Sequence, residues 1–324
     1  MGVYHLMGLG LSPGTVIGPL SYLAHRYQRN GPADREFFAR SGERDQRREG
    51  KKVGDVQAIV LFTTPEVVHG DLRGLAWEYV DNGLARREGA TGVRAPMPEV
   101  LRRFLPAEWR RITGRKEGDL FWCEIDRGDI RTTYDRMVRV VAALAGVGGQ
   151  GKEMWANLTG GTNVVNSALH LAAALSGEIA RTYYVQAQEG MEKHLRCTAE
   201  DGYWVELPSM PLALAPLSRE ILALVREHTS MTAGKIRERL VGEHWSLLGA
   251  LDKDAFIRSY LGPLWKCGLL AEVDGLPGAY QVGPQWTLIE PYADVLASAR
   301  ADGVTIEALA EREPWLTREI VPLA

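Results

Sequence analysis

Two strand–turn–helix units with glycine at the turn constrain this chain more than any other feature. One reads M-W-A-N-L-T-G-G-T over Met154–Thr162 and runs on as N-V-V-N-S-A-L-H-L-A-A-A-L. A short apolar strand ends at Asn157 and Thr159, two glycines follow, and a long apolar helix begins. The other unit opens the sequence: strand Val3–Leu11, turn Ser12-Pro13-Gly14-Thr15, helix Val16–Tyr27. A glycine-lined helix N-terminus accepts anions, because unpaired backbone N–H groups and the helix dipole point at the same place. Two such turns at strand C-termini predict an α/β sheet that holds a phosphate-rich ligand at its carboxyl edge.

The length, 324 residues, allows one large or two ordinary domains. Hydrophobic residues at 45% and charged residues at 24% fit a globular chain. No apolar run reaches the ~18–20 residues of a membrane span. No basic region precedes an apolar core at the N-terminus, so no secretory leader is expected. Cys123, Cys197 and Cys267 are scattered without metal-type spacing. A reducing cytoplasm and no bound metal or cofactor are therefore expected. The formal net charge of −3 conceals an Arg-rich region between residues 21 and 118, which includes Arg44, Arg47, Arg48, Arg102, Arg103, Arg110 and Arg111. These side chains form either a solvated surface or an electropositive mouth for an anion.

Further along, Arg29–Lys52 reads as a polar loop. Val56–Phe62 is a strand ending at Thr63-Thr64-Pro65, followed by a helix over Glu66–Val80. Residues 84–118 read as a basic insertion with a short helix near Glu99–Phe104. Leu120–Ile125 is a strand, Asp129 caps a helix Ile130–Ala145, Met154–Leu158 is a strand with its helix at Asn163–Leu175, and Ala180–Gln186 is a fifth strand. This alternation predicts a mainly parallel sheet. His194–Thr198 and Tyr203–Leu207 read as a hairpin, and Pro208, Pro211 and Pro216 as a linker. Helices capped by Ser218 and Thr232, a third over Asp252–Lys266, and a hairpin Leu269–Val282 with its turn at 274–278 follow the order of a winged helix-turn-helix, a variant of the helix-turn-helix. A helical segment Pro291–Ala310 comes last.

The turns L-G-L-S-P-G-T at Leu9–Thr15 and N-L-T-G-G-T-N at Asn157–Asn163 resemble the two signature turns of the CARF family, the CRISPR-associated Rossmann-fold domains. The resemblance covers roughly residues 1–186, with the winged part at 213–290. It implies a Rossmann-like α/β domain over 1–208, carrying insertions near 29–52 and 84–118, then the winged helix-turn-helix at 213–290 and the segment 291–324. It implies a homodimer that binds a cyclic oligoadenylate, tetra- or hexa-adenylate, across its two-fold axis in type III CRISPR immunity. Carried over by motif, Leu11, Ser12, Pro13, Gly14 and Thr15 of the first turn line the pocket with Thr159, Gly160, Gly161, Thr162 and Asn163 of the second. Thr63 and Thr64 are further candidates. Many members carry lysine where this chain has Asn163, which only donates and accepts hydrogen bonds. The winged domain then acts as a DNA-linked sensor, or the pocket cleaves its own ligand without metal. Cleavage in the family uses the ligand's 2′-hydroxyl as nucleophile, and Ser12, Thr15 and Asn163 are candidates to assist it.

Other readings use some of the same residues. Gly8-Leu9-Gly10 with Gly14 approaches a dinucleotide fingerprint, and Asp34 and Glu36 sit at the spacing of its acidic residue but in polar sequence. Gly146–Lys152 approaches a P-loop, with Glu153 where Ser or Thr is needed. Arg239–His244 fits the R-x-x-x-x-H pattern of HEPN ribonucleases, here a chance match, and His170 reads as a packed core residue. For double-stranded DNA the candidates are Lys235, Arg237, Lys253 and Arg258. Acidic and basic side chains balance over 217–282, so a structural or dimer-contact role for that domain stands beside DNA binding.

Overall fold

The computed structural model describes residues 2–10, 12–39, 55–69, 97–146, 152–186, 204–207 and 216–323. The chain divides into two compact units, residues 1–211 with 298–324, and residues 212–297.

In the first unit five strands run parallel: β1 (Val3–Gly8), β2 (Val56–Thr63), β3 (Glu117–Glu124), β4 (Glu153–Asn157) and β5 (Ile179–Val185). Antiparallel strands close both edges, β6 (Trp204–Leu207) on β5 and β10 (Leu316–Pro322) on β3. The order is β10-β3-β2-β1-β4-β5-β6. β1 and β2 are buried almost throughout, which explains their continuous apolar sequence. From β1 the chain steps outward to β2 and β3, then crosses back to β4 and β5. That reversal puts α1 (Gly14–Arg29) and α4 (Met97–Arg110) together on one face, and α5 (Ile130–Ala145) and α6 (Asn163–Ser176) together on the other. The first face is packed by Val16, Ile17, Leu20 and Leu23 of α1 and Leu101, Leu105 and Trp109 of α4, against Met7, Ile59, Leu61 and Trp155. The Trp109 indole N–H donates to the Val56 carbonyl oxygen at 2.9 Å, so the largest side chain of α4 is buried without an orphaned donor.

The second unit begins with α7 (Pro216–Glu227). A two-residue strand β7 (Met231–Thr232) leads into α8 (Ala233–Val241). Next come α9 (Trp245–Leu248) and a helical run made of α10 (Lys253–Phe256), a π-helical turn at Ile257–Leu261 and α11 (Gly262–Lys266). Strands β8 (Leu270–Val273) and β9 (Leu276–Val282) pair antiparallel, giving a sheet of order β7-β9-β8. Ile221, Leu222, Val225, Ile236, Phe256, Leu261 and Leu270 form its core. The long α12 (Pro284–Ala301) returns the chain to the first unit, where α13 (Ile306–Arg312) precedes β10.

Several expectations are corrected. Arg29–Lys52 is not all loop, because Pro32–Ala39 forms a helix, α2, with Phe38 in the core. The insertion expected at 84–118 contains the fourteen-residue α4, and Glu117–Gly118 already belongs to β3. A short helix α3 (Pro65–His69) starts where Glu66–Val80 was expected, and the rest of that span lies outside the described residues. So do Leu11, residues 40–54 and 70–96, and the first arm of the expected hairpin at 194–198. Ser218 lies inside α7, which starts at Pro216. The β8–β9 turn is Asp274-Gly275, shorter than 274–278. The segment 291–324 is not wholly helical: Pro291 is inside α12, and Leu316–Pro322 is a strand. The caps expected at Asp129 and Thr232 are present, their side chains accepting from the backbone N–H of Arg131 and Lys235.

Candidate functional site

The strand order reverses between β1 and β4, and both glycine turns leave the carboxyl ends of those two strands. The turns lie against one another. A Cβ at Gly160 would strike the Thr15 hydroxyl and lie 2.5 Å from both Thr15 Cβ and the Gly8 carbonyl oxygen. Gly161 has φ +90°, and a Cβ there would sit 3.1 Å from Gly8 Cα. The two backbones approach this closely only because no side chain stands between them.

Asn157 fixes the pair. It is fully buried at the end of β4. Its Nδ2 donates to the Thr15 carbonyl oxygen at 3.0 Å, and its Oδ1 accepts from the Thr159 N–H at 2.8 Å. Thr159 Oγ1 accepts from the Val185 N–H at 2.8 Å, which ties the turn to β5. The Thr15 hydroxyl donates to the Ser12 carbonyl oxygen at 2.7 Å. Thr162 caps α6 by accepting from the Val165 N–H at 3.3 Å. Neither α1 nor α6 has an acidic residue in its first turn, and Pro13, the residue capping α1, gives it no side-chain cap. Neither helix therefore places a carboxylate of its own first turn at its positive end.

The sequence-derived residues fall into distinct places. Thr15, Gly160 and Gly161 meet at the crossing of the two turns, flanked in sequence by Gly14, Thr159 and Thr162, and Ser12 and Pro13 are half-buried. The Ser12 hydroxyl has no hydrogen-bond partner among the described residues. Asn163 is exposed at the first position of α6. Thr63 is buried within the sheet, its hydroxyl without a partner among the described residues and its carbonyl accepting from the Ile125 N–H. The Thr64 hydroxyl is spent on Glu66, whose carboxyl it holds below its usual range. Asp34, at the spacing of a dinucleotide-binding acid, is buried in α2 and bonded to Arg26 and Arg29, so it is not available to a ribose. Of the arginines proposed for a basic mouth, Arg102 pairs with Glu319 and Arg111 with Glu108. In the second unit Lys235, Lys253 and Arg258 are exposed, whereas Arg237 is half-buried and donates to the Leu248 carbonyl oxygen at 3.4 Å.

Sequence patterning missed the polar cluster beside β1. Arg181 of β5 is buried with its guanidinium 4.3 Å from the Phe37 ring and 4.5 Å from the Trp155 ring. It holds the Glu206 carboxylate through two bonds of 2.6 and 3.0 Å and donates to the Phe37 carbonyl oxygen. His5 Nδ1 is 3.0 Å from the Tyr183 hydroxyl. Burial, with help from the Arg181 charge, pushes His5 down to about 3, so its imidazole is neutral. Burial likewise raises the Tyr183 phenol far above its usual range. This cluster clamps α2, β4, β5 and β6 together next to the turns.

The fold and turns define an α/β protein with paired glycine turns at the switch point of a mainly parallel sheet. No family model matches the chain. An uncharacterized protein of Archaeoglobus fulgidus is 28% identical over 197 residues, covering 57% of each chain, so this chain spans little more than half of that relative. Among solved structures, Enterococcus italicus Csm6 bound to cyclic hexa-2′-fluoro-hexa-dAMP is similar with a TM-score of 0.38 and 11% identity, over 82% of this chain and 54% of that one. Protein VC1899 from Vibrio cholerae gives 0.32 and 9%, over 93% and 67%. Can2 from Sulfobacillus thermosulfidooxidans in complex with cyclic tetra-adenylate gives 0.29 and 10%, over 93% and 62%. Scores and identities this low give the likenesses no weight in assigning a function. Among the described residues no helix is long and apolar enough to cross a membrane.

Proposed function

We propose that this is a CARF-type sensor of type III CRISPR immunity, a cytoplasmic homodimer that binds cyclic tetra- or hexa-adenylate at the two glycine turns. The observation that carries the reading is the contact of the turns at the sheet's switch point, with two helices whose first turns contain no acidic residue. A cyclic polyanion meets backbone N–H groups and small hydroxyl residues there, and a two-fold dimer presents them to each half of the ring. The order of helices and hairpin in residues 212–297 supports reading this unit as a winged helix. Ligand binding then changes its affinity for double-stranded DNA through Lys235, Lys253 and Arg258, provided the two states of the dimer bind the ring unequally.

Titration of the purified protein with each ring, followed by chromatography of the nucleotide, tests this. Tight binding with the ring intact supports the sensor. Asn163→Asp adds a carboxylate at the α6 N-terminus, which suits the helix but repels phosphate, so affinity should fall by roughly tenfold or more while the melting temperature holds. No binding of either ring refutes the reading. Loss of DNA binding in Lys253→Ala/Arg258→Ala tests the output. The second reading, a ring nuclease, is favoured by the Ser12 hydroxyl, which has no hydrogen-bond partner among the described residues. It predicts linear products that disappear in Ser12→Ala.

A further inference from the structure

We propose that Glu220, Glu243 and His244 form a binding site for a divalent transition-metal ion of the zinc class. Glu220 lies on α7, and Glu243 and His244 on the turn between α8 and α9. Their ligand atoms all lie within 4.8 Å of one another. His244 Nε2 faces Glu220 Oε2 at 2.5 Å across a separation of 24 residues, a convergence no sequence spacing announces. All three residues belong to one compact unit, so their relative position follows from its own core.

Charge and donor chemistry select the ligand. Two carboxylates face one imidazole, and among the described residues no lysine or arginine pairs with either of them. The two carboxylates supply negative charge toward the point on which the three ligand atoms converge, which suits a divalent cation. A nitrogen donor beside two oxygens favours zinc-like ions over magnesium or calcium, which take oxygen almost exclusively. Donors about 2.1 Å from a tetrahedral zinc lie about 3.4 Å apart. The His244–Glu220 contact therefore opens by about 1 Å and the widest separation closes by about as much, movements within reach of glutamate side chains. Glu220 and His244 are partly shielded, their side chains 39% and 22% exposed, while Glu243 is exposed and leaves the fourth position open to water. The competing arrangement is the His244–Glu220 hydrogen bond alone, needing no metal.

Cobalt(II) distinguishes the two. The full-length chain, stripped with chelator, is titrated with Co²⁺ while visible absorption and circular dichroism are followed, and Zn²⁺ is then added in competition. A saturable band at one ion per chain, displaced by Zn²⁺, is expected. Glu243→Gln should weaken binding by about tenfold or more, and His244→Gln should abolish the band. Glu243 is exposed, so its variant folds even if the His244 variant does not. Absence of the band overturns the proposal. So does binding unchanged in Glu243→Gln, which would place the ion on an exposed histidine such as His25 or His228.

Discussion

Replacing Gly160 by alanine tests whether the two turns are held in contact. The new methyl group would press on the Thr15 hydroxyl and lie 2.5 Å from the Gly8 carbonyl oxygen. Ordinary non-bonded separations are about 3.5 Å, so about 1 Å must be recovered by moving β1, the start of α1 or the Asn157 hydrogen bonds. None is a flexible side-chain tip: Gly8 ends a buried strand, and Thr15 is anchored through Ser12 and Asn157. Forcing volume into such a site costs about 1–3 kcal/mol. For a unit of this size about 2 kcal/mol lowers the melting temperature by roughly 4–8 °C. Gly18→Ala is the matched control. A Cβ at Gly18, within α1, meets nothing within 4 Å, and alanine is the better helix former by about 1 kcal/mol. Calorimetry should therefore show the two variants moving in opposite directions. If Gly160→Ala melts within about 1 °C of the parent, the backbones are not in the contact described and the crevice loses its geometric basis.

Three further outcomes are expected. Arg181→Ala removes the guanidinium between Phe37 and Trp155; because Glu206 is 39% exposed and can rehydrate, denaturant unfolding should show a loss of about 2–3 kcal/mol, below the cost of a fully buried broken pair. The folded state keeps His5 neutral down to about pH 3 while the unfolded chain protonates it near 6.5, so stability falls as pH drops through that window by up to about 1.4 kcal/mol per unit. Unfolding curves of His5→Gln between pH 7 and 4.5 should be flatter than those of the parent, and equal slopes would sink this account. Trp109→Phe strands the buried Val56 carbonyl and should cost about 1–3 kcal/mol in the same assay.

Parallel strands could be read directly because burial on both faces writes them as apolar runs, as in Val56–Thr63. Helix starts could be read where a short polar side chain caps them, at Asp129 and Thr232, though not at Ser218, which lies inside α7. Prolines misled where a helix absorbs them: Pro106 lies inside α4 and Pro291 inside α12. In α2 the only large apolar side chains are Phe37 and Phe38, adjacent and among charged neighbours, too few to show a period. β10 hid for another reason. It is an edge strand with one face toward water, and Thr317, Arg318 and Glu319 give it a polar reading. At the candidate site the glycine turns were visible in the sequence, but the burial of Thr63 was not, since it depends on which face of β2 that residue takes. The Arg181 clamp joins residues far apart in the chain and leaves no local signature.

The pairing of β10 with β3 sets the timing of folding during synthesis. Cys123 is matched with Leu316, so β3 is made about 190 residues before its outer neighbour. At roughly 5–20 residues per second, that edge waits on the order of ten to forty seconds with its hydrogen-bonding groups unmatched. The whole 212–297 unit is made in that interval. A nascent chain halted before residue 316 thus carries an open sheet edge, the kind of surface to which other chains add.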